Sequence, residues 1–287
     1  MLKNEKKSMA IACASGGFKA IFVQGVLSAF EEAEIKADAY AAASASVFTA
    51  AWAAIGKARE SGINYWLEGW KIYQQTKSMS QVSLGGISFF MANSDKNFWS
   101  SNKSQFYIAA SAVINPEAAE HTQGKRANRL GKKLLISAAK GDRTWVNQNL
   151  RLDLFGDDNL TLHRDNFAEV TYASTRMLHS YDIPAWIGNQ PYIDASYTCI
   201  CPAIEMVEQG YQTVIAIATE PNELYRDLFG LEVIPDLYKQ TEIHAIKPDI
   251  NLKELGVDVF QATPEGIAIV YQHGLDKGKE FLAKLNN

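Results

Sequence analysis

Long apolar runs are missing from this chain. No stretch of about 18 apolar residues occurs among its 287 residues, so no membrane-spanning helix is expected. Cysteine is scarce: Cys13, Cys199 and Cys201 are an odd number without framework spacing. That excludes a disulfide scaffold and points to reduced thiols and a cytoplasmic setting. Cys199 and Cys201 are two apart with no matching His or Cys pair, so no metal site is expected. Basic runs are also lacking, and net charge is −4. Nucleic acid is therefore not an expected partner. The start, MLKNEKKSMAIACASGG, has some basic character, but its apolar part is too short for a secretory signal. No internal repeat or low-complexity linker breaks the sequence.

What is present is an ordinary globular profile, 47% hydrophobic and 21% charged. A chain of this length can bury a substantial core, and residues 1–287 read as one α/β domain. SMAIACAS (8–15) is a short apolar strand ending in Ser15-Gly16-Gly17. FKAIFVQGVLSAF follows with apolar residues at helical spacing. ADAYAAAS reads as a second strand and ASVFTAAWAAIGKA as a second helix. This βαβα opening implies a mainly parallel sheet covered on both faces, a three-layer α/β/α fold.

Residues 60–130 are less regular and read as a helical and loop cover over a site. Within them INYWLEGWKIYQQ is expected as an amphipathic helix, SLGGISFFMANSDKNFWSSN as loop and SQFYIAASAVIN as helix. Further on, KKLLISAAKG reads as a strand and FAEVTYASTRMLHS as a helix and turn. YQTVIAIATEP and TEIHAIKPDI read as strands. TPEGIAIVYQHGLDKGKEFLAKL reads as a terminal helix, or two separated at Gly274, with Thr263 as its cap.

Three segments carry candidate chemistry. Ser44 lies between a strand and a helix, where a nucleophile elbow, Gly-x-Ser-x-Gly, would hold a serine on a strained turn. Here the pattern is Ala42-Ala43-Ser44-Ala45-Ser46. Small residues for close strand–helix packing are the competing reading. Ser15-Gly16-Gly17-Phe18-Lys19 opens a helix after the first strand, so its N–H groups could hold an oxyanion or phosphate. It lacks the third glycine of a dinucleotide fingerprint and the Gly-Lys-Ser/Thr of a P-loop. A plain tight turn is the alternative. Asp194, in YIDASYTCICP, is a turn residue or cap, or a base for a serine hydroxyl. Of the five histidines, His179 is best placed to complete a triad; each also reads as structural or surface. The aromatic groups SFFM and NFWSS could line an acyl pocket, touch a membrane surface transiently, or be core.

In this order the three segments resemble the patatin-like phospholipases. That family has a glycine-rich oxyanion loop after the first strand, Gly-x-Ser-x-Gly after the second, and Asp-Gly-Gly/Ala far downstream. GVLSAFEEAEIKADAYAAASAS is similar to the family's helix leading to the elbow. YASTRMLHSYDIPAWIGNQPYIDAS resembles its Ala-Ser-x-x-x-Pro stretch running into the aspartate. The likeness covers most of the chain and is weakest over 60–130.

The resemblance implies a serine hydrolase with no cofactor and no catalytic histidine, acting on a lipid or other ester. Ser44 would attack an acyl carbonyl and Asp194 would accept its proton. Gly16, Gly17 and Phe18 would hold the oxyanion. Lys19 takes the loop's basic position, near a lipid phosphate or simply solvated. The chain departs from the pattern at residues 20, 42, 46 and 195, where glycine is replaced by alanine or serine, and at Ser15. Two other readings share these residues: acyl transfer to a small-molecule acceptor, and a non-catalytic binding protein. The sequence specifies no oligomeric state.

Overall fold

The computed structural model describes residues 8–99, 104–156 and 159–285. The basic start (1–7) and part of the NFWSS group lie outside them. The chain opens with strand β1 (Met9–Cys13), a 3₁₀ turn (Gly17–Lys19), helix α1 (Ala20–Glu32), strand β2 (Ala39–Ala43) and helix α2 (Ser46–Ala54). Helices α3 (Ala58–Ser61), α4 (Asn64–Thr76) and α5 (Met79–Phe98) lead to strand β3 (Gln105–Val113). Helices α6 (Pro116–Gln123), α7 (Ala127–Ala139) and α8 (Thr144–Asn149) precede β4 (Leu150–Phe155) and α9 (Arg164–Thr175). Strands β5 (Trp186–Ile187) and β6 (Gln190–Ile193) are followed by α10 (Ala203–Glu208) and β7 (Thr213–Ile217). Strands β8 (Leu237–Tyr238) and β9 (Thr241–Ile246) and helix α11 (Pro264–Leu285) end the order.

Strands β3, β2, β1, β7 and β9 lie side by side, each parallel to its neighbour. Strands β4, β5, β6 and β8 add antiparallel pairs at the two sides. The fold is the expected α/β/α arrangement with a mainly parallel sheet. Strand alternation explains the layers. Ile11, Cys13, Tyr40, Ala42, Ile108, Ile215 and Ile217 face one core with α1, α2, α5, α9 and α11. Ala10, Ala12, Ala39, Ala41, Ala43, Ala109, Val214 and Ala216 face a smaller one with α10. Small side chains on that second face let a six-residue helix and the 218–234 loop suffice as its cover.

Three sequence expectations are corrected, and the choice left open at Gly274 is settled. SQFYIAASAVIN is strand β3, not a helix: its alanines favour helix locally, but eight of its nine strand residues are buried within the sheet. SLGGISFFMANSDKNF is helix α5, not loop. Gly85 and Gly86 do not break it; they make room for Ile72 and for the Tyr65 hydroxyl of α4. KKLLISAAKG belongs to helix α7, not a strand; Gly131, Leu134 and the half-buried Leu130 and Ala138 form its inward face. The terminal helix is continuous, because Gly274 packs against Phe22 and Gly25 of α1 rather than ending a helix. Thr263 does cap α11, accepting the Gly266 N–H at 3.0 Å.

Candidate active site

The two candidate side chains, Ser44 and Asp194, are brought together by one edge of β3. Strand β4 occupies one edge over Ile108–Val113. On the other, β2 pairs up to Ala43 opposite Ala109, and β6 takes over with Ile193 opposite Ser111. β2 runs parallel to β3 and β6 runs antiparallel, so the next residue of each, Ser44 and Asp194, arrives opposite Ala110. Ser44 Oγ donates to Asp194 Oδ2 at 2.8 Å.

Ser44 sits on the elbow that its position between strand and helix suggested. Its φ is 53°, the left-handed region that a non-glycine residue rarely adopts. Its N–H donates to Ser174 Oγ of α9 at 2.9 Å, which holds that turn from below. Ser174 was not singled out in the sequence; the YASTRM stretch that carries it was. Ser46 Oγ donates to the Ala14 carbonyl at 2.5 Å, tying the elbow to the end of β1. The hydroxyl in place of the family's second glycine thus has a partner.

Asp194 is buried and caps its own 3₁₀ turn: Oδ1 accepts the Ser196 N–H at 2.8 Å. Its N–H donates to the Arg176 carbonyl and its carbonyl accepts from Ser111 Oγ, at 2.9 and 2.7 Å. Burial pushes the carboxyl up to about 6, against the opposing pull of hydrogen bonds from Ser196 and Ser44. The site therefore holds a base whose charged form dominates near neutrality and which takes a proton readily.

The glycine loop lies beside the dyad. Gly17 has φ 57°, and a Cβ there would overlap the Val259 carbonyl oxygen, so no other residue fits. The N–H groups of Gly16 and Gly17 make no hydrogen bond among the described residues, and both residues line the cavity. Phe18 departs from expectation. Its N–H donates to the Val259 carbonyl at 3.0 Å, so its donor is already engaged. Ala45, which follows Ser44 and lines the same cavity, has a further N–H with no hydrogen bond among the described residues, which the sequence reading omitted.

Lys19 is neither solvated nor in the cavity. It is 4% exposed, and its ammonium meets Glu220 Oε1 at 2.6 Å and Asn251 Oδ1 at 3.4 Å. Glu220, at the end of β7, is the residue of that pair which reaches the cavity.

The cavity encloses about 220 Å³ above Ser44 and Asp194. Phe48, Tyr65, Trp66, Met79, Val82 and Phe260 give it an apolar wall. Only the first part of the expected cover segment contributes, through α4 and the start of α5. The SFFM and NFWSS aromatics do not line it; Phe90 and Phe98 are fully buried among Trp52, Phe106 and Phe167. No histidine lines it either. His179 packs edge-on against Phe260, with ring centroids 5.1 Å apart.

No family model matches the chain and no curated protein matches it. Among solved structures it is similar to VipD from Legionella pneumophila, with 11% identity and a TM-score of 0.47 over 97% of this chain and 67% of that one. A likeness that distant assigns neither a family nor an activity.

Proposed function

We propose that this chain is a patatin-like serine acyl hydrolase, acting on a lipid or other carboxylic ester through Ser44 and Asp194. The observation that carries this reading is the 2.8 Å hydrogen bond from Ser44 Oγ to a buried carboxylate, at the floor of an apolar cavity. A serine needs a base in contact to become a nucleophile. Asp194 is that base: it takes the hydroxyl proton as Ser44 Oγ bonds to the acyl carbon. The N–H groups of Gly16, Gly17 and Ala45 offer donors to the oxygen that becomes negative, a contribution of roughly 3 kcal/mol per well-placed donor. Asp194 then returns the proton to the leaving alkoxide, and the acyl group stays on Ser44. Water, deprotonated by the same carboxylate, releases the acid.

The apolar walls favour an acyl chain, and an alcohol with an apolar tail would meet the same walls, which supports a second reading, transfer of the acyl group to such an acceptor. The test is intact-mass analysis after a fluorophosphonate probe. One adduct on the wild type, absent from Ser44→Ala, is expected. A folded wild type that takes up no probe would leave a binding protein as the reading. Added alcohol then separates the two chemistries, since transfer yields a new ester and hydrolysis only the acid.

A further inference from the structure

The sequence has no unbroken basic run, yet the fold assembles a basic stripe. Arg126, Arg129, Lys132, Lys133 and Lys140 recur at intervals of three, four and seven, so α7 and its two caps present them on one face, and Lys125 lies in the turn just before them. All six are exposed. Between Glu120 and Asp142 there is no acidic residue. No described carboxylate pairs with any of the six; Arg126 meets only His121. These six are drawn from the chain's 28 Lys and Arg, leaving 22 against 32 Asp and Glu, so the remainder stands at −10. Ile136, 59% exposed, sits within the same stripe.

Helix α7 packs behind the cavity wall, with the stripe on its outer face. Gly131 of α7 packs directly on Leu178 and His179, and Asn128 Nδ2 donates to the His179 carbonyl at 2.5 Å. His179 in turn packs edge-on against Phe260, a cavity wall, and Met177 lines the cavity too. Lys132 is near enough to help lower the His179 pKa, after the larger effect of burial. An open cleft of about 260 Å³, lined by His121, Arg126, Arg129, Leu130 and Lys133, lies along the stripe.

We propose that α7 docks the protein on an anionic lipid surface, through its cationic stripe and Ile136. Cations around an exposed aliphatic side chain match an interface of phosphate headgroups over acyl chains. A nucleic acid would use the charges alone; the stripe carries no aromatic platform for bases. The proposal concerns the surface and stands apart from the dyad's chemistry, so each is tested separately.

The experiment is co-sedimentation with phosphatidylcholine vesicles, with and without phosphatidylglycerol, for the wild type, Ser44→Ala, Ile136→Ser and the triple variant Arg129→Gln, Lys132→Gln, Lys133→Gln. Binding is expected only with phosphatidylglycerol and is weakened by added salt. The triple variant should lose on the order of 100-fold in partitioning, at about fivefold per charge removed. Ile136→Ser should lose about tenfold or less, and Ser44→Ala nothing. All substituted positions of α7 are exposed, and matching melting curves confirm that the fold is kept. Equal sedimentation with both vesicle types, none with either, or an unchanged triple variant overturns the proposal. So does single-stranded RNA bound as tightly as anionic vesicles with no effect of Ile136→Ser. Failure of fluorophosphonate labelling with anionic vesicle binding intact would sink the hydrolase reading and leave this one standing.

Discussion

Strands β1 and β2 lie side by side, and each leaves the sheet through a residue in the left-handed region. At the end of β1 that residue is Gly17; at the end of β2 it is Ser44. The first turn has no room for a side chain, because Val259 closes over it. The second has a side chain that is strained, buried and bonded to Asp194. A left-handed non-glycine residue costs on the order of 1 to 3 kcal/mol, and glycine would meet the same geometry without it. The hydroxyl at residue 44 is therefore a stability loss that packing alone does not explain, whereas glycine at residue 17 is explained by packing and backbone conformation together.

The comparison can be broken most forcefully at the hydroxyl itself. Ser44→Ala should abolish fluorophosphonate labelling, and Asp194→Asn should slow it by about 10⁴-fold, the order seen when a serine hydrolase loses a carboxylate of its catalytic set. Stopped-flow labelling at neutral pH measures both. Wild-type labelling should rise with pH through about 6, where Asp194 loses its proton, and level off above. Gly17→Ala comes next, with a loss of about 2 to 4 kcal/mol in urea unfolding from overlap with Val259 and backbone strain. If that variant is as stable as the wild type, the loop is looser than its contacts imply.

Asp194 makes the fold less stable in the same way. Its folded pKa of about 6 stands above the ordinary 3.8, so stability falls as pH rises between those values and the penalty is complete above them. Asp194→Asn should therefore melt a few degrees higher than the wild type at pH 7, an effect on the order of 1 to 3 kcal/mol. Below pH 4 the two should melt alike. The smallest effects probe the elbow's support. Ser174→Ala removes the hydroxyl that accepts the Ser44 N–H, costing about 1 kcal/mol and slowing labelling several-fold. Ser44→Gly should be more stable than Ser44→Ala by about 1 kcal/mol, since only strain separates them.

Ser44, Asp194, Gly16 and Gly17 could be named as candidates from their positions, each with a plain turn or packing reading beside it, and only the resemblance joined them; the fold adds the contact between Ser44 and Asp194. The engagement of Phe18 and Lys19 was not legible, because the groups that hold them, Val259, Glu220 and Asn251, lie more than 200 residues away in sequence. Helix α5, expected as loop, and strand β3, expected as helix, depart from the sequence reading for a shared reason. Gly85 and Gly86 look like helix breakers until Ile72 and Tyr65 are packed against them, and the alanines of β3 look helical until a sheet closes on both sides. The α7 stripe went unseen because its cations come only as pairs and single residues, spaced by apolar and small ones; only the helix gathers them.

The long-range closure of the loop has a consequence for timing in the cell. The nucleophile's turn is translated early, but Asp194 follows 150 residues later, and Val259 later still. Helix α11, which seals α1 through Gly25 and Gly274, comes after that. At ordinary ribosomal speeds of about 5 to 20 residues per second, Ser44 waits on the order of ten seconds for its base. A nascent chain on the ribosome thus carries Ser44 without its partner, and the Ser44–Asp194 hydrogen bond forms only when the distant segments emerge and dock.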